Sequence, residues 1–172
     1  MTPSQRLITG ALALATLAGG YAAGRTLFRP ASRIRQPILF NHKIHVGDAG
    51  IECVICHDNY PKGEHAGLPG LSTCTGCHTE ASPDQPEIAK LLAMVKEGKE
   101  DVFRKLFRLS DHVFYSHRRH AGIGKLPCEG CHGAIAATQA PPERPLVRID
   151  MAFCVNCHEQ KDISVDCTRC HR

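Results

Sequence analysis

The sequence predicts a mostly irregular fold with short α-helices behind one hydrophobic N-terminal helix, and three observations support this. A Cys-x-x-Cys-His motif occurs five times in 172 residues, and the five copies use all 10 cysteines. Strand-like alternation of polar and apolar residues is scarce. The one long uncharged stretch lies near the N-terminus. We therefore expect an anchor at residues 1–29, a linker at 30–39 and the main domain at 40–172.

The predicted anchor centres on Leu7–Gly24, a stretch without charge between Arg6 and Arg25. As a helix it extends about 27 Å, close to the thickness of a bilayer's hydrocarbon core. A cleaved secretory signal is the alternative, because alanine and glycine near its end resemble a processing site. We favour an uncleaved anchor. Small residues four apart, such as Gly20 and Gly24, indicate that this helix docks against a partner helix.

The Cys-x-x-Cys-His motif is the attachment sequence of c-type haem, in which both thiols form thioethers and the adjacent imidazole binds the iron. Zinc also binds paired cysteines, and disulfides use them too. Neither needs a histidine after every second cysteine, and 11 histidines in 172 residues make five chance repeats remote. We therefore predict five covalent c-type haems, held at Cys53/Cys56/His57, Cys74/Cys77/His78, Cys128/Cys131/His132, Cys154/Cys157/His158 and Cys167/Cys170/His171.

Six further histidines can supply the second axial ligand of each iron: His42, His45, His65, His112, His117 and His120. Four of them form two His-x-x-His pairs, one in Phe40–His57 and one in Phe114–His132. Each pair follows an aromatic residue and precedes a glycine-containing turn and a motif.

Residues three apart on a helical turn share a face but diverge, so each pair is expected to serve two haems. We assign His42 to the haem of Cys53 and His117 to that of Cys128, with His45 and His120 serving neighbouring haems. Met151 is an alternative ligand that would raise one haem potential, although packing in the core is its expected role.

Between the second and third motifs the pattern turns helical. Apolar residues recur at helical spacing, with Asp84 as the expected cap, Pro86 in the first turn and Gly98 at the end. A second short amphipathic helix is predicted over Phe103–Arg108. Both helices are expected to pack over the haems, and an acidic partner on the basic face is the alternative. Residues 30–37 and 139–145 are proline-containing connections.

Iron with two protein ligands has no position for a substrate, so the pattern favours electron transfer over catalysis. A net charge of +4 without a dense basic run excludes a nucleic-acid partner. Aromatic residues make up only 5% of the chain. The macrocycles are therefore expected to supply most of the apolar core.

The unit Phe-x-His-x-x-His followed by Cys-x-x-Cys-His resembles the class III multihaem cytochromes. Four stretches, QPILFNHKIHVGDAGIECVICH, LSDHVFYSHRRH, CEGCHG and MAFCVNCHEQ, resemble the pentahaem subunit of alternative complex III and the related multihaem subunit of a menaquinone reductase complex. The short chain and the lack of a sixth motif favour the former. One departure is FRLSD at 107–111, where the family places a histidine that is nearest here at His112.

The resemblance implies an electron-relay subunit, not itself an enzyme, in a quinol-oxidising respiratory or photosynthetic complex. Its partners would be integral-membrane and iron–sulfur or molybdopterin-type subunits and a periplasmic electron acceptor. The expected location is the bacterial cytoplasmic membrane, with one span and the haem domain on the periplasmic side. Four arginines after the span argue for the opposite orientation, but five haem motifs outweigh them.

Three alternatives stay open. A self-contained anchored quinol dehydrogenase would need its own quinol site. A class III-type carrier would feed a periplasmic reductase. A nitrite- or hydroxylamine-converting cytochrome would need an iron with an open position.

Overall fold

The computed structural model describes residues 2–27 and 33–171, and the chain divides into two compact units, Met1–Ser32 and Arg33–Arg172. The boundary between the units falls inside the predicted linker. The last two residues of the predicted anchor, 28 and 29, and the first three of the linker, 30–32, lie outside the described residues.

The N-terminal unit contains helix α1, Pro3–Leu27. Its residues from 7 to 24 carry no charge, and alanine and leucine, which both favour helices, make up much of them. Large apolar side chains such as Leu12, Leu14 and Leu17 are exposed along it. Among residues 2–27 and 33–171, no helix combines the length and the hydrophobicity needed to cross a membrane.

The second unit consists of short helical turns joined by irregular segments. Its α-helices in the described residues are α2 (Cys53–Cys56), α3 (Leu71–Thr75), α4 (Pro86–Lys96), α5 (Glu129–His132), α6 (Met151–Gln160) and α7 (Cys167–Cys170). Two π-helical turns, π1 (Lys43–Asp48) and π2 (Arg118–Ile123), and one 3-10 turn (Ile135–Ala137) complete the helical elements. The described residues form no strand beyond an isolated bridge between Val113 and His171. The prediction of short helices in a mostly irregular fold is confirmed.

The side-chain core is small. In the described part of the chain, the only buried hydrophobic residues are Ile38, Leu71 and Leu91, which form one cluster. Met94 and Phe103 are among the partly buried residues that pack against it. Three buried side chains in a unit of this size leave most of its apolar surface uncovered by protein.

Helix α4 forms where the apolar spacing predicts it. Pro86 begins the helix, and Gln85 occupies the N-cap without a side-chain hydrogen bond, so the prediction of an Asp84 cap was wrong. At the other end Gly98 adopts φ +74°, and its N–H donates to the Val95 carbonyl at 2.9 Å. This left-handed position ends the helix as expected.

The prediction of a second amphipathic helix over Phe103–Arg108 was wrong, because residues 101–110 form no helix. The Gln36 side chain binds this segment instead. It accepts a hydrogen bond from the Arg104 N–H at 2.9 Å and donates one to the Arg104 carbonyl at 2.7 Å. Both main-chain groups of Arg104 are thus satisfied by a residue distant in sequence, which removes the need for helical hydrogen bonds.

Two segments repeat one backbone pattern 75 positions apart. Turn π1 follows His42 and turn π2 follows His117, and α2 and α5 then form at the motifs downstream. Gly50 and Lys125 occupy equivalent positions before the motifs, with φ +66° and +51°. The second repeat therefore places a lysine in a conformation that favours glycine.

We expect Leu91→Ala to lower the free energy of unfolding by about 2–5 kcal/mol, because it leaves a cavity in a cluster of three side chains. Urea unfolding of the protein as isolated, followed by circular dichroism, measures the change. Leu109→Ala is the matched control, since Leu109 is 39% exposed. Equal losses in the two variants would contradict the importance of this cluster.

At the repeated left-handed position, we expect Lys125→Gly to raise the free energy of unfolding by about 1 kcal/mol and Gly50→Lys to lower it by about the same amount. The opposite signs follow because only the backbone conformation is shared by the two sites. Thermal unfolding of both variants tests the pair. Changes of the same sign in both would refute the equivalence of the two turns.

Candidate haem-binding sites

Each Cys-x-x-Cys-His motif forms one helical turn. The N–H of the motif histidine donates to the carbonyl of the first cysteine at 2.8 Å in His57 and at 2.9 Å in His78, His132 and His171. His158 lies within helix α6, together with its two cysteines. Since residues three apart share a helix face, the two thiols of a motif face the same side.

The 10 cysteines are free thiols, and none forms a disulfide. Cys53, Cys77 and Cys167 are exposed, and the others are half-buried. Every motif therefore keeps at least one thiol that protein only partly covers. Such a thiol remains accessible for bonding to a macrocycle.

Cys77, predicted from sequence as a haem-attachment residue, is left exposed by the surrounding protein. Its position in the motif turn is nevertheless regular, because its N–H donates to the Cys74 carbonyl at 3.2 Å. Burial raises the pKa of Cys56, and Cys53 and Cys77 add to this shift. The Cys77 thiol thus points into the space near the first motif, where no protein side chain encloses it.

The described donors do not form a metal cluster of their own. Within residues 2–27 and 33–171, no three histidine, cysteine or acidic side chains converge as metal ligands. The donors are arranged as paired thiols beside individual imidazoles, unlike the four converging ligands of a structural zinc site.

Three motif histidines face a second histidine at nearly the same ring spacing. The ring centres lie 6.0 Å apart in His45–His78, 6.3 Å apart in His117–His132 and 6.1 Å apart in His120–His158. Two imidazoles binding one metal ion from opposite sides, with bonds of about 2 Å, have ring centres about 6 Å apart. The spacing is that of axial ligand pairs.

The other two motifs show related arrangements. His42 lies close to His57: burial lowers the pKa of His42 to about 4, and the nearby His57 contributes to this shift. His112 and His171 stack with ring centres 5.3 Å apart, closer than the three pairs above. The buried Nδ1 of His171 has no hydrogen-bond partner within the described residues.

Main-chain carbonyls orient several of these rings through Nδ1. The Nδ1 atoms of His45, His57, His117 and His120 lie 2.8–2.9 Å from the carbonyl oxygens of Asn41, Gly67, Glu64 and Ser116. A ring that donates Nδ1–H to a carbonyl presents the Nε2 lone pair on its other side, as metal-binding histidines do. Burial also lowers the pKa of His117 and of His132, which favours the neutral form that binds metals.

One aromatic ring in each repeat packs between the paired histidines. Phe40 stacks on His45 with ring centres 4.3 Å apart, and Tyr115 stacks on His120 at 4.5 Å. The aromatic of the second repeat is therefore Tyr115. Phe114, the first residue of the predicted unit, does not hold the equivalent position. Burial raises the pKa of Tyr115 to about 12, with neighbouring motif thiols adding to the shift.

Two sequence-predicted ligand candidates are placed away from the ring pairs. His65 is exposed, and its carbonyl accepts a hydrogen bond from the Asn59 side chain. Met151 begins α6 with 66% of its surface exposed, so its expected core-packing role was wrong. The sequence also missed Thr138, whose hydroxyl lies 3.2 Å from His42 Nδ1. It is 96 residues from His42, and no local pattern marks it.

These observations fit covalent haem. The motif thiols share a face, the imidazoles come in pairs at the spacing of two axial ligands, and most are oriented through Nδ1. A macrocycle between the paired rings would also cover apolar side chains such as Ile44 and Ile55, which are 53% and 62% exposed.

Comparisons with known proteins agree with this geometry. Residues 113–172, which contain three of the five motifs, match the family described as cytochrome c7 and related cytochrome c. The chain is 39% identical over 122 residues to the multiheme cytochrome c subunit of the menaquinone reductase of Nitratidesulfovibrio vulgaris. The match covers 70% of the chain and 55% of the relative, so the chain spans about half of that protein. The chain is therefore similar to multihaem cytochromes c, and its C-terminal third carries the cytochrome c7 pattern.

Proposed function

We propose that this chain is a membrane-anchored pentahaem cytochrome c that relays electrons within a quinol-oxidising complex of the alternative complex III type. It passes electrons to a periplasmic acceptor and performs no bond chemistry itself. The observation that carries this proposal is the second histidine beside each motif histidine, with three pairs at ring spacings of 6.0–6.3 Å.

The paired imidazoles define the chemistry of the site. Haem iron bound between two of them supplies reversible one-electron storage and has no open position for a substrate. Two histidine ligands favour lower potentials than a histidine and a methionine. This suits menaquinol as the electron source, and the exposed position of Met151 agrees with ligation by histidine alone.

The residues of the chain hold and shield the cofactor. Thiols fix it covalently, carbonyl-bound imidazoles set its orientation, and Phe40 and Tyr115 pack against the ligand rings. In the second axial position the proposal uses His42, His45, His117, His120 and His112, which leaves His65 as the remaining histidine.

The anchor and location rest on the sequence of the N-terminal unit. Residues 7–24 lack charge and lie within helix α1. We place this helix in the bacterial cytoplasmic membrane and the second unit on the periplasmic side. Integral-membrane and iron–sulfur or molybdopterin-type subunits are the proposed partners.

The menaquinone reductase relative favours a second candidate, in which electrons flow from a periplasmic donor into the quinone pool. The direction of transfer separates the two. In isolated membranes, a menaquinol analogue should reduce the haems before they pass electrons to an added periplasmic cytochrome. Reduction by the periplasmic cytochrome followed by reoxidation with a menaquinone analogue would favour the reductase.

The direct test is haem content and spin state. We expect five haems per chain and only low-spin iron in the wild-type protein. His120→Ala should leave one iron of five high-spin and able to bind carbon monoxide, because His158 then lacks its partner ring. Haemochrome absorbance measures the stoichiometry, and electron paramagnetic resonance measures the spin state.

His65→Ala is the matched control and should keep five low-spin irons. His120→Met covers the case in which the alanine variant does not accumulate, and it should raise one of the five potentials. Fewer than five haems in the wild type, or carbon monoxide binding to it, would count against the proposal.

For the anchor, we expect Leu12→Arg to move the protein from the membrane fraction to the soluble periplasmic fraction. A central arginine costs about 2.5–3.5 kcal/mol of insertion free energy in a helix of modest hydrophobicity. Fractionation with haem-stained gels measures the distribution. Leu109→Arg controls for the added charge, and wild-type protein in the soluble fraction would refute anchoring.

A further inference from the structure

The contacts between motifs show their order in space, which differs from their order along the chain. We number the motifs along the chain as motif 1 (residues 53–57), motif 2 (74–78), motif 3 (128–132), motif 4 (154–158) and motif 5 (167–171). We propose that they form a row in the order 2–1–3–4–5, so that motifs 2 and 5 are the ends where electrons enter and leave. This inference rests on the proposed haem-relay function.

Motifs 1 and 3 are joined at the centre by contacts that repeat under the 75-residue offset. The Lys43 N–H donates to the Thr138 carbonyl at 3.0 Å, and the Arg118 N–H donates to the Gly63 carbonyl at 2.9 Å. Lys43 corresponds to Arg118, and Gly63 corresponds to Thr138. Each repeat thus donates to the segment that follows the motif of the other.

The same exchange orients the first histidine of each pair. Nδ1 of His42, from the first repeat, lies 3.2 Å from the hydroxyl of Thr138, downstream of motif 3. Nδ1 of His117, from the second repeat, lies 2.8 Å from the carbonyl of Glu64, downstream of motif 1. A ring paired with one motif therefore depends on the segment behind the other, which requires motifs 1 and 3 to be neighbours.

The second histidine of each pair reaches outward. From turn π1, His45 lies beside His78 of motif 2, and from turn π2, His120 lies beside His158 of motif 4. Residues three apart on one turn hold rings whose partners are adjacent. This places motif 2 next to motif 1 and motif 4 next to motif 3.

Motif 5 extends the row beyond motif 4. The Phe114 N–H donates to the Cys170 carbonyl at 2.8 Å, and Val113 bridges to His171. The next residue, Tyr115, stacks on His120, the ring that faces motif 4. Burial raises the pKa of the Cys154 thiol, and the nearest further contribution comes from Cys170, so the thiols of motifs 4 and 5 are also close.

Thiol neighbours support the remaining links. Burial raises the pKa values of Cys74, Cys128 and Cys131, and each shift includes a contribution from a cysteine of another motif. These cysteines are Cys56 for Cys74, Cys53 for Cys128 and Cys157 for Cys131. The pairs join motif 2 to 1, motif 1 to 3, and motif 3 to 4. The contribution of Cys77 to the pKa of Cys56 joins motifs 2 and 1 a second time.

Nuclear Overhauser spectroscopy of the full-length, dithionite-reduced holoprotein in detergent tests the order. Each haem is assigned to a motif through its thioether cysteines. We expect cross-peaks between substituents of haems on motifs 2 and 1, 1 and 3, 3 and 4, and 4 and 5. Cross-peaks between motifs 2 and 3, with none between motifs 1 and 3, would overturn the order.

A variant pair tests the central link separately. Thr138→Val should shift the resonances of the haem on Cys53 and Cys56, although the substitution follows motif 3. Thr168→Val removes a hydroxyl that binds Asp166 and should leave that haem unshifted. An unshifted haem in the Thr138 variant would contradict the exchange. Five low-spin haems with another neighbour pattern refute only the order, whereas fewer than five refute the proposed function.

Discussion

The hydrogen bonds to histidine Nδ1 are the constraint on which the rest of the structure depends. With only Ile38, Leu71 and Leu91 buried in the described residues, side-chain packing contributes little to fixing the fold. Backbone carbonyls instead fix the direction of each imidazole, and the loops that provide those carbonyls must follow definite paths. The irregular segments are therefore as specifically positioned as the helices, because each carries a group that a ligand ring requires.

Local features of the sequence could be predicted and distant ones could not. Helix α4 follows from its apolar spacing and from Gly98, which lie within one window of sequence. Phe103–Arg108 has a comparable spacing but forms no helix, since Gln36 binds Arg104 from 68 residues away. Propensity was overruled there by a contact that no window contains.

The candidate site divides in the same way. The motifs and the His-x-x-His pairs are visible in sequence because attachment chemistry fixes their spacing. Thr138 was not predicted, because its role depends on the approach of two segments 96 residues apart. The π-helical turns were also missed. Their wider hydrogen-bonding loop is rare, and in both repeats it begins directly after the first histidine of a pair.

The exchange between the two repeats has a consequence for how such a chain can be built. Lys43 to Thr138 and Arg118 to Gly63 are the same contact made twice, in opposite directions, as at the interface of a twofold homodimer. A single repeat would thus have the groups needed to pair with its own copy. Joining both copies in one polypeptide makes that pairing intramolecular and independent of protein concentration. The central pair would then assemble reliably even where the protein is scarce.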